Sequence, residues 1–317
     1  MIDVLTIGDG MITMNPKTMG PLRFSNEFER KVGGAELNLA IGCARLGLKT
    51  SWISRLGNDE FGQYILNYMR GEGIDVSSVT LEDAYTTPVN FKEIMENGSG
   101  STYYYRFPSP TETITLEDIH ASAIKNTKVF YISGVFSSLA ARNVKLLHEA
   151  VDTAKQHGAM IALDPNIRLK LWSRQEAQNA LLSFLPKVDI VLSGEEEANI
   201  LFGEQTADEH AASFTEYGIQ RIAIKRGSQG ALCTSHENKM VSLPAPMVDS
   251  VVDTVGAGDG FNSGFLYGTL QKWDLEKTTR FANQVGALVV GVSGDNEGLP
   301  YVEKVKQALG EMEKIER

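Results

Sequence analysis

Short runs of apolar and β-branched residues alternate along this chain with segments whose apolar positions recur at helical spacing. Asp3–Ile7 (DVLTI) predicts a strand that ends at Gly8. Leu37–Leu46 (LNLAIGCARL) predicts a helix, stopping at Gly47, a natural helix terminus. Thr50–Leu56 predicts a strand and Glu60–Gly71 a helix. Val129–Ser133 (VFYIS) has the unbroken apolar character of a buried strand, and the spacing predicts a helix over roughly Leu139–His157. Met160–Leu163, Val188–Leu192 and Ile219–Lys225 continue the strand series. Strand then helix, repeated, predicts an α/β fold with a parallel sheet covered by helices on both faces.

Two stretches break this rhythm. Residues 12–32 and 86–107 carry few helical signals but several β-prone residues (VNFKEI, STYYYRF). They predict small β excursions from the main body that form a lid; ordinary surface hairpins are the alternative. No internal repeat, low-complexity tract or long linker is visible, so residues 1–317 are expected to be one folded unit containing both excursions.

Composition narrows the possible functions. Lys+Arg 30 against Asp+Glu 40 gives a net charge of −10, which argues against a general affinity for nucleic acid or anionic lipid. No apolar run approaches the roughly 20 residues needed to cross a bilayer. The start of the chain lacks the basic and cleavage regions of a signal peptide. Two cysteines, Cys43 and Cys233, cannot build a disulfide framework, and buried thiols in a cytoplasmic protein are expected.

Two glycine-rich motifs carry the candidate chemistry. In Asp253-Thr254-Val255-Gly256-Ala257-Gly258-Asp259-Gly260-Phe261, small residues precede an apolar helical pattern. The free N–H groups of such a helix start attract an anion. A carboxylate inside the same turn, Asp259, would repel phosphate, so its presence calls for a reason. One reason is general-base work on a hydroxyl that attacks a phosphoryl group; the alternative is a helix cap. In Gly33-Gly34-Ala35-Glu36-Leu37-Asn38, a glycine pair leads into a helix whose first turn holds Asn38. These groups could bind sugar hydroxyls, or could form a tight turn with a polar helical residue. Other templates fit less well. The chain lacks the G-x-x-x-x-G-K-[ST] loop and the H-R-D catalytic loop, and Gly256-x-Gly258-x-Gly260 does not have dinucleotide-binding spacing. None of the five histidines pairs at a metal-ligand spacing.

Taken together, the two motifs resemble the paired signatures of the ribokinase-like carbohydrate kinases, the PfkB family. The resemblance runs the length of the chain. It includes Gly8-Asp9, Ala44-Arg45-Leu46-Gly47, Gly57-Asn58-Asp59 with Phe61-Gly62, Asp164-Pro165-Asn166-Ile167-Arg168 and Lys225-Arg226-Gly227-Ser228-Gln229-Gly230. It implies a three-layer α/β/α Rossmann-like domain with a small β-sheet lid. The implied activity is ATP-dependent phosphorylation of a sugar hydroxyl with Mg²⁺ and often a monovalent cation such as K⁺. Asp259 then takes the catalytic-base position, and the backbone of Gly256, Ala257 and Gly258 the anion hole. Asn166, Ser193, Lys225, Gly227, Gly230, Gly256, Gly258 and Asn283 fall on the nucleotide side. Glu196 would hold Mg²⁺ through water, and Asp253 and Val255 a monovalent cation.

The substrate is argued from two arginines. Arg106, after Tyr103-Tyr104-Tyr105, and Arg168 suit paired, charge-assisted hydrogen bonds to a carboxylate. They resemble the positions that hold the acid end of the substrate in the 2-keto-3-deoxygluconate kinases of that family. Gly294-Asp295-x-Glu297-Gly298-Leu299-Pro300 is similar to the C-terminal segment of the same subgroup. By this resemblance Asp9, Gly33, Gly34, Asn38, Asn90, Tyr104 and Asp295 line the sugar site. Three positions depart from the pattern. Gly8-Asp9-Gly10 replaces the usual Gly-Glu start, Asn90 stands where a tyrosine is common, and Ser193 stands where relatives have the asparagine of an N-x-x-E motif. Kinases of a neutral sugar such as fructose or ribose, a purine nucleoside kinase and a non-catalytic sugar sensor are the rival readings. Aromatics of the lid, Phe91, Tyr103 and Tyr105, are expected to pair with a second copy.

Overall fold

Alternation decides which face of the sheet each residue covers. Leu5 and Ile7, Phe130 and Ile132, Ile161 and Leu163, and Ile222 and Ile224 belong to one apolar cluster. Val4, Val129, Tyr131, Ala162 and Ala223 belong to another. Successive strand residues point to opposite faces, so these central strands are buried on both sides.

The structure, a computed structural model, describes residues 1–95, 100–235 and 239–313. The strands are β1 (Ile2–Ile7), β2 (Met11–Pro16), β3 (Phe28–Gly33), β4 (Thr50–Gly57), β5 (Val79–Glu82), β6 (Val89–Lys92), β7 (Thr102–Tyr105), β8 (Thr127–Ser133), β9 (Met160–Asp164), β10 (Ile190–Gly194), β11 (Arg221–Lys225), β12 (Ala231–Ser235) and β13 (Met240–Leu243). The helices are α1 (Ala35–Arg45), α2 (Glu60–Gly71), α3 (Leu116–Ala121), α4 (Gly134–Leu139), α5 (Ala141–Gln156), α6 (Arg174–Phe184), α7 (Glu195–Phe202), α8 (Ala207–Thr215), α9 (Ala257–Leu270), α10 (Leu275–Val289) and α11 (Val302–Ala308).

The large sheet has the order β13-β12-β11-β10-β9-β8-β1-β4-β5. It is parallel from β11 through β5 and carries an antiparallel hairpin, β12–β13, at one edge. Residues of α5, α6, α7 and α8 cover one face, and residues of α1, α9 and α10 cover the other. This is the three-layer α/β/α arrangement that the strand–helix rhythm predicts.

The two β excursions supply a second sheet of order β3-β2-β6-β7. Met11, Thr13, Asn90, Lys92 and Tyr104 share one of its faces, because residues of one face recur every second position. On the other face, Phe28, Phe91 and Tyr105 meet edge to face, and Tyr105 is 70% exposed.

Three features differ from the sequence expectation. The helix expected over Leu139–His157 forms as α5, and a short helix that the pattern does not predict, α4, precedes it; extended Ala140 (φ −154°, ψ 142°) separates the two, and the Asn143 side chain donates to the Phe136 carbonyl at 2.9 Å. Strand β5 and the β12–β13 hairpin were not predicted from the pattern. β5 and β13 are edge strands whose residues are half-buried or exposed, which weakens the apolar signal. β12 is buried on both faces (Leu232 on one, Ala231 and Cys233 on the other), but its apolar run is only three residues long. Among the described residues, no helix is long and apolar enough to cross a membrane. Both cysteines are free thiols and buried.

Candidate active site

The parallel strands end on one side of the large sheet, and their C-terminal ends open a cleft, where α/β sheets place ligands. Asp9 follows β1, Asp164 ends β9, Gly194 ends β10 and Lys225 ends β11, and all four line this cleft. The second sheet covers it with Asn90, Lys92, Tyr104 and Arg106. The cleft volume is about 1130 Å³. A single small-molecule pocket holds roughly 300–1,000 Å³, so there is room for two ligands side by side.

Helix α9 begins at the cleft. Gly256 is its N-cap in the left-handed region, φ +80°. A Cβ there would lie 2.0 Å from the Asp295 backbone oxygen, so glycine lets the two chains touch. The N–H groups that follow in the first helical turn have no acceptor within the helix. Lys225 adds a charge beside them: its Nζ lies 3.9 Å from where a Gly258 Cβ would stand. That ammonium donates to Asn262 Oδ1 at 3.1 Å and to Asp164 Oδ1 at 3.4 Å, which leaves its third proton for a ligand.

Asp259 is in the first turn of α9 but does not cap the helix. It is 8% exposed and lines the cleft, and its Oδ2 accepts from Asn38 Nδ2 at 2.9 Å. Burial pushes this carboxyl up to about 7. The Asn38 hydrogen bond and the Lys225 and Arg168 cations pull it down, while Asp164 pushes it further up. A carboxyl poised there can accept a proton near neutrality.

The other end of the cleft is polar and densely paired. Arg106 Nη2 donates to Asp9 Oδ2 at 2.6 Å, and Lys92 Nζ donates to Asp295 Oδ1 at 2.5 Å. Both pairs join the small sheet to the main body, and all four residues are buried. Asp9 Oδ1, Asn90 Oδ1 and Arg106 Nε are buried polar atoms without a hydrogen-bond partner. Buried polar groups in proteins are nearly always paired, so this cluster fits a ligand rich in hydroxyl or carboxylate oxygen.

Glu36 lies beneath this end, fully buried, and accepts from the Ser133 hydroxyl and from Phe136 N. Burial, reinforced by nearby Asp9, pushes its carboxyl from 4.5 to about 8. Between these two values the unfolded chain releases the proton while the folded chain keeps it, so this group makes stability fall as pH rises. Glu36→Gln should flatten the decline of Tm between pH 5 and pH 8. Thermal melts that decline in parallel with wild type would show that Glu36 does not titrate in this way.

Gly34, Asn38, Arg168, Asn166, Gly227, Glu196, Val255, Gly256 and Gly258 also line the cleft. Six residues expected at the site do not. Gly33 leaves room for Asp295, whose Oδ2 would lie 2.5 Å from a Cβ there. Ser193 donates its hydroxyl to the Gly194 carbonyl at 2.9 Å. Gly230 (φ +83°) packs on the Leu243 carbonyl, and Asn283 donates to the Leu243 and Pro244 carbonyls at 3.2 Å each. Asp253 uses its oxygens on Val255 N (3.0 Å) and Gly294 N (3.2 Å), and Ala257 lies behind the lining. Lys92 and Asp164 were not singled out as site residues. Lys92 had a signal, because it is two residues beyond Asn90 on one strand and so shares its face.

The model of the pfkB family carbohydrate kinases matches residues 1–301. The chain is 32% identical over 310 residues to a 2-dehydro-3-deoxygluconokinase of Bacillus subtilis, covering 97% of this chain and 95% of that protein. It is 29% identical to a 5-dehydro-2-deoxygluconokinase of Clostridium perfringens, covering 97% and 92%. A crystal structure of an Escherichia coli chain of ribokinase II type with ATP and Mg²⁺ superposes with a TM-score of 0.90 at 25% identity, covering 98% of this chain and 100% of that one. The chain therefore belongs to the pfkB family of carbohydrate kinases, phosphotransferases whose acceptor is an alcohol.

Proposed function

We propose that this kinase transfers the γ-phosphoryl group of ATP to the terminal hydroxyl of a sugar acid, 2-keto-3-deoxygluconate, giving 2-keto-3-deoxy-6-phosphogluconate. The observation that carries the reading is one corner that holds a buried carboxyl, Asp259, at the start of a helix whose N–H groups and neighbouring Lys225 suit an anion. Asp259 takes the proton of the 6-hydroxyl as its oxygen bonds to phosphorus and the bond to ADP breaks. The α9 N–H groups and Lys225 stabilise the charge that spreads over the phosphoryl oxygens. The small sheet keeps water out, which limits ATP hydrolysis.

The nucleotide would lie against Asn166, Lys225 and Gly227, which line the cleft at and just beyond the ends of β9 and β11. Mg²⁺, when bound, would neutralise phosphate charge. Glu196 fits a contact through water, being an exposed acid on the cleft wall. Asp253 and the Val255 carbonyl are the residues that would hold a monovalent cation.

A carboxylate is the natural ligand for the remaining cations. Arg106 spends one of its five N–H donors on Asp9, and its Nε has no partner. Arg168 lines the same cleft and is exposed. Both relatives are named for kinases of keto-deoxy-gluconates, which supports an acid sugar but leaves the position of the keto group to experiment. A neutral sugar is the second reading, favoured by the Arg106–Asp9 and Lys92–Asp295 pairs, which cancel charge within the site. The deciding experiment measures ATP consumption with 2-keto-3-deoxygluconate, 5-keto-2-deoxygluconate, fructose, ribose and adenosine. Turnover on a neutral sugar exceeding that on both acids would overturn the proposal.

Arg106→Lys sharpens this test, because it keeps the charge beside Asp9 and removes the planar fork. The KM for the acid sugar should rise about tenfold while the KM for ATP stays within twofold. An equal rise for fructose would mean that Arg106 holds the site together without reading a carboxylate. The exposed Tyr103 and Tyr105, on the same face of the small sheet as half-buried Phe91, support the reading that a second copy packs there.

A further inference from the structure

The carboxyl of Asp259 is gripped by a hydrogen-bond chain that begins outside the cleft. Asn296 follows α10 and is fully buried. Its Nδ2 donates to the Val32 carbonyl at 2.7 Å and to Asn38 Oδ1 at 3.3 Å, while its Oδ1 accepts from the Tyr68 hydroxyl at 2.8 Å. Asn38 then donates to Asp259 Oδ2 at 2.9 Å. The Val32 main-chain carbonyl can only accept, and so can an ionised Asp259. With Asp259 ionised, each amide must turn its NH₂ group in the direction observed.

The main chain of Asn296 is fixed separately. Arg45 Nη1 donates to the Asn296 carbonyl at 2.8 Å and to the Leu299 carbonyl at 2.9 Å. Glu72 holds the same guanidinium, through Nη2 at 2.6 Å and Nε at 2.9 Å.

We propose that Asn296 is a positioning residue for the reaction, holding the Asn38 amide so that its NH₂ group, and not its carbonyl oxygen, meets Asp259. This rests on the reading of Asp259 as the base. With Asn38 locked, one carboxyl oxygen is occupied and the other is left to take the substrate proton. If the amide turned by half a circle, two oxygens would face each other and Asp259 would keep its own proton. Asn296 does not line the cleft and touches no substrate, so a substrate contact would not account for an effect on rate.

The test compares kcat against pH for wild type, Asn296→Ala, Tyr68→Phe and Asp259→Asn. Loss of the Asn296 hydrogen bonds should lower kcat about tenfold and move the acid limb up by about one pH unit, with both KM values within about twofold of wild type. Tyr68→Phe removes only the hydroxyl that steadies Asn296, so the same limb should move up by roughly 0.3 unit. An acid limb that stays at the wild-type pH in folded Asn296→Ala overturns the proposal. Should that variant fail to fold, an unmoved limb in Tyr68→Phe overturns it instead. Asp259→Asn separates the two claims: if it turns over normally, the base assignment fails. If it is inactive while the other variants keep the wild-type limb, only the positioning role fails.

Discussion

Asp259→Asn is expected to lower kcat by about 10²–10⁴-fold, the usual worth of a positioned general base, while the KM for the sugar changes by less than about threefold. The substitution is close to isosteric, and the new amide oxygen can still accept from Asn38, so the local geometry has little reason to change. What is lost is the ability to take a proton. Wild type should also lose activity as pH falls through about 7, because burial raises this carboxyl to that value and only the deprotonated form is a base. The same elevation makes the carboxylate a stronger acceptor than an exposed aspartate, which favours proton transfer from an alcohol. The variant should retain the anion-binding corner, and with it a residual rate and no acid limb near 7. An ADP-release assay across pH 5–9 checks both points. A variant within tenfold of wild type, or one with the same acid limb, would remove the proton-accepting role.

Local patterning carried most of the architecture. The helix at Leu37–Leu46 and the two β excursions were readable because their apolar period or β-prone run is confined to a few neighbouring residues, and the structure forms α1 and the four-stranded sheet there. The Gly256–Asp259 corner was readable because its chemistry lies within four consecutive positions. The pairings that finish the site were not. Lys92 meets Asp295 across 203 positions, and Asn296 meets Asn38 across 258. Alternation with Asn90 puts Lys92 on the cleft face, but nothing local names Asp295 as its partner, and nothing local marks an asparagine after a helix as the partner of Asn38. On the nucleotide side, Gly230 and Asn283 fit a family pattern, and the structure packs both against the Leu243–Pro244 main chain, outside the cleft lining.

Gly256→Ala and Gly258→Ala should separate two reasons for a glycine in the same corner. At Gly256 the backbone is left-handed, φ +80°, and an added methyl would fall 2.0 Å from the Asp295 carbonyl oxygen. The left-handed conformation alone costs alanine about 1–2 kcal/mol, and the neighbouring backbone must also move. That neighbour carries the Asp295 carboxylate, which holds Lys92 of the small sheet, and precedes Asn296, which holds Asn38. The damage therefore spreads to both ends of the site: Tm should fall by several degrees and kcat by at least about 10²-fold. At Gly258 nothing but the Lys225 ammonium lies within 4 Å of the added carbon, at 3.9 Å. Alanine is also the better helix former by close to 1 kcal/mol, so Gly258→Ala should melt at or above the wild-type temperature. Its methyl would still occupy the space beside Lys225 that the transferring phosphoryl group needs, and turnover should fall by a similar factor. Thermal melts paired with ATP-consumption rates distinguish the cases. A fully active and stable Gly256→Ala would mean that the contact between the helix start and Asp295 is dispensable. A fully active Gly258→Ala would place phosphoryl transfer elsewhere in the cleft.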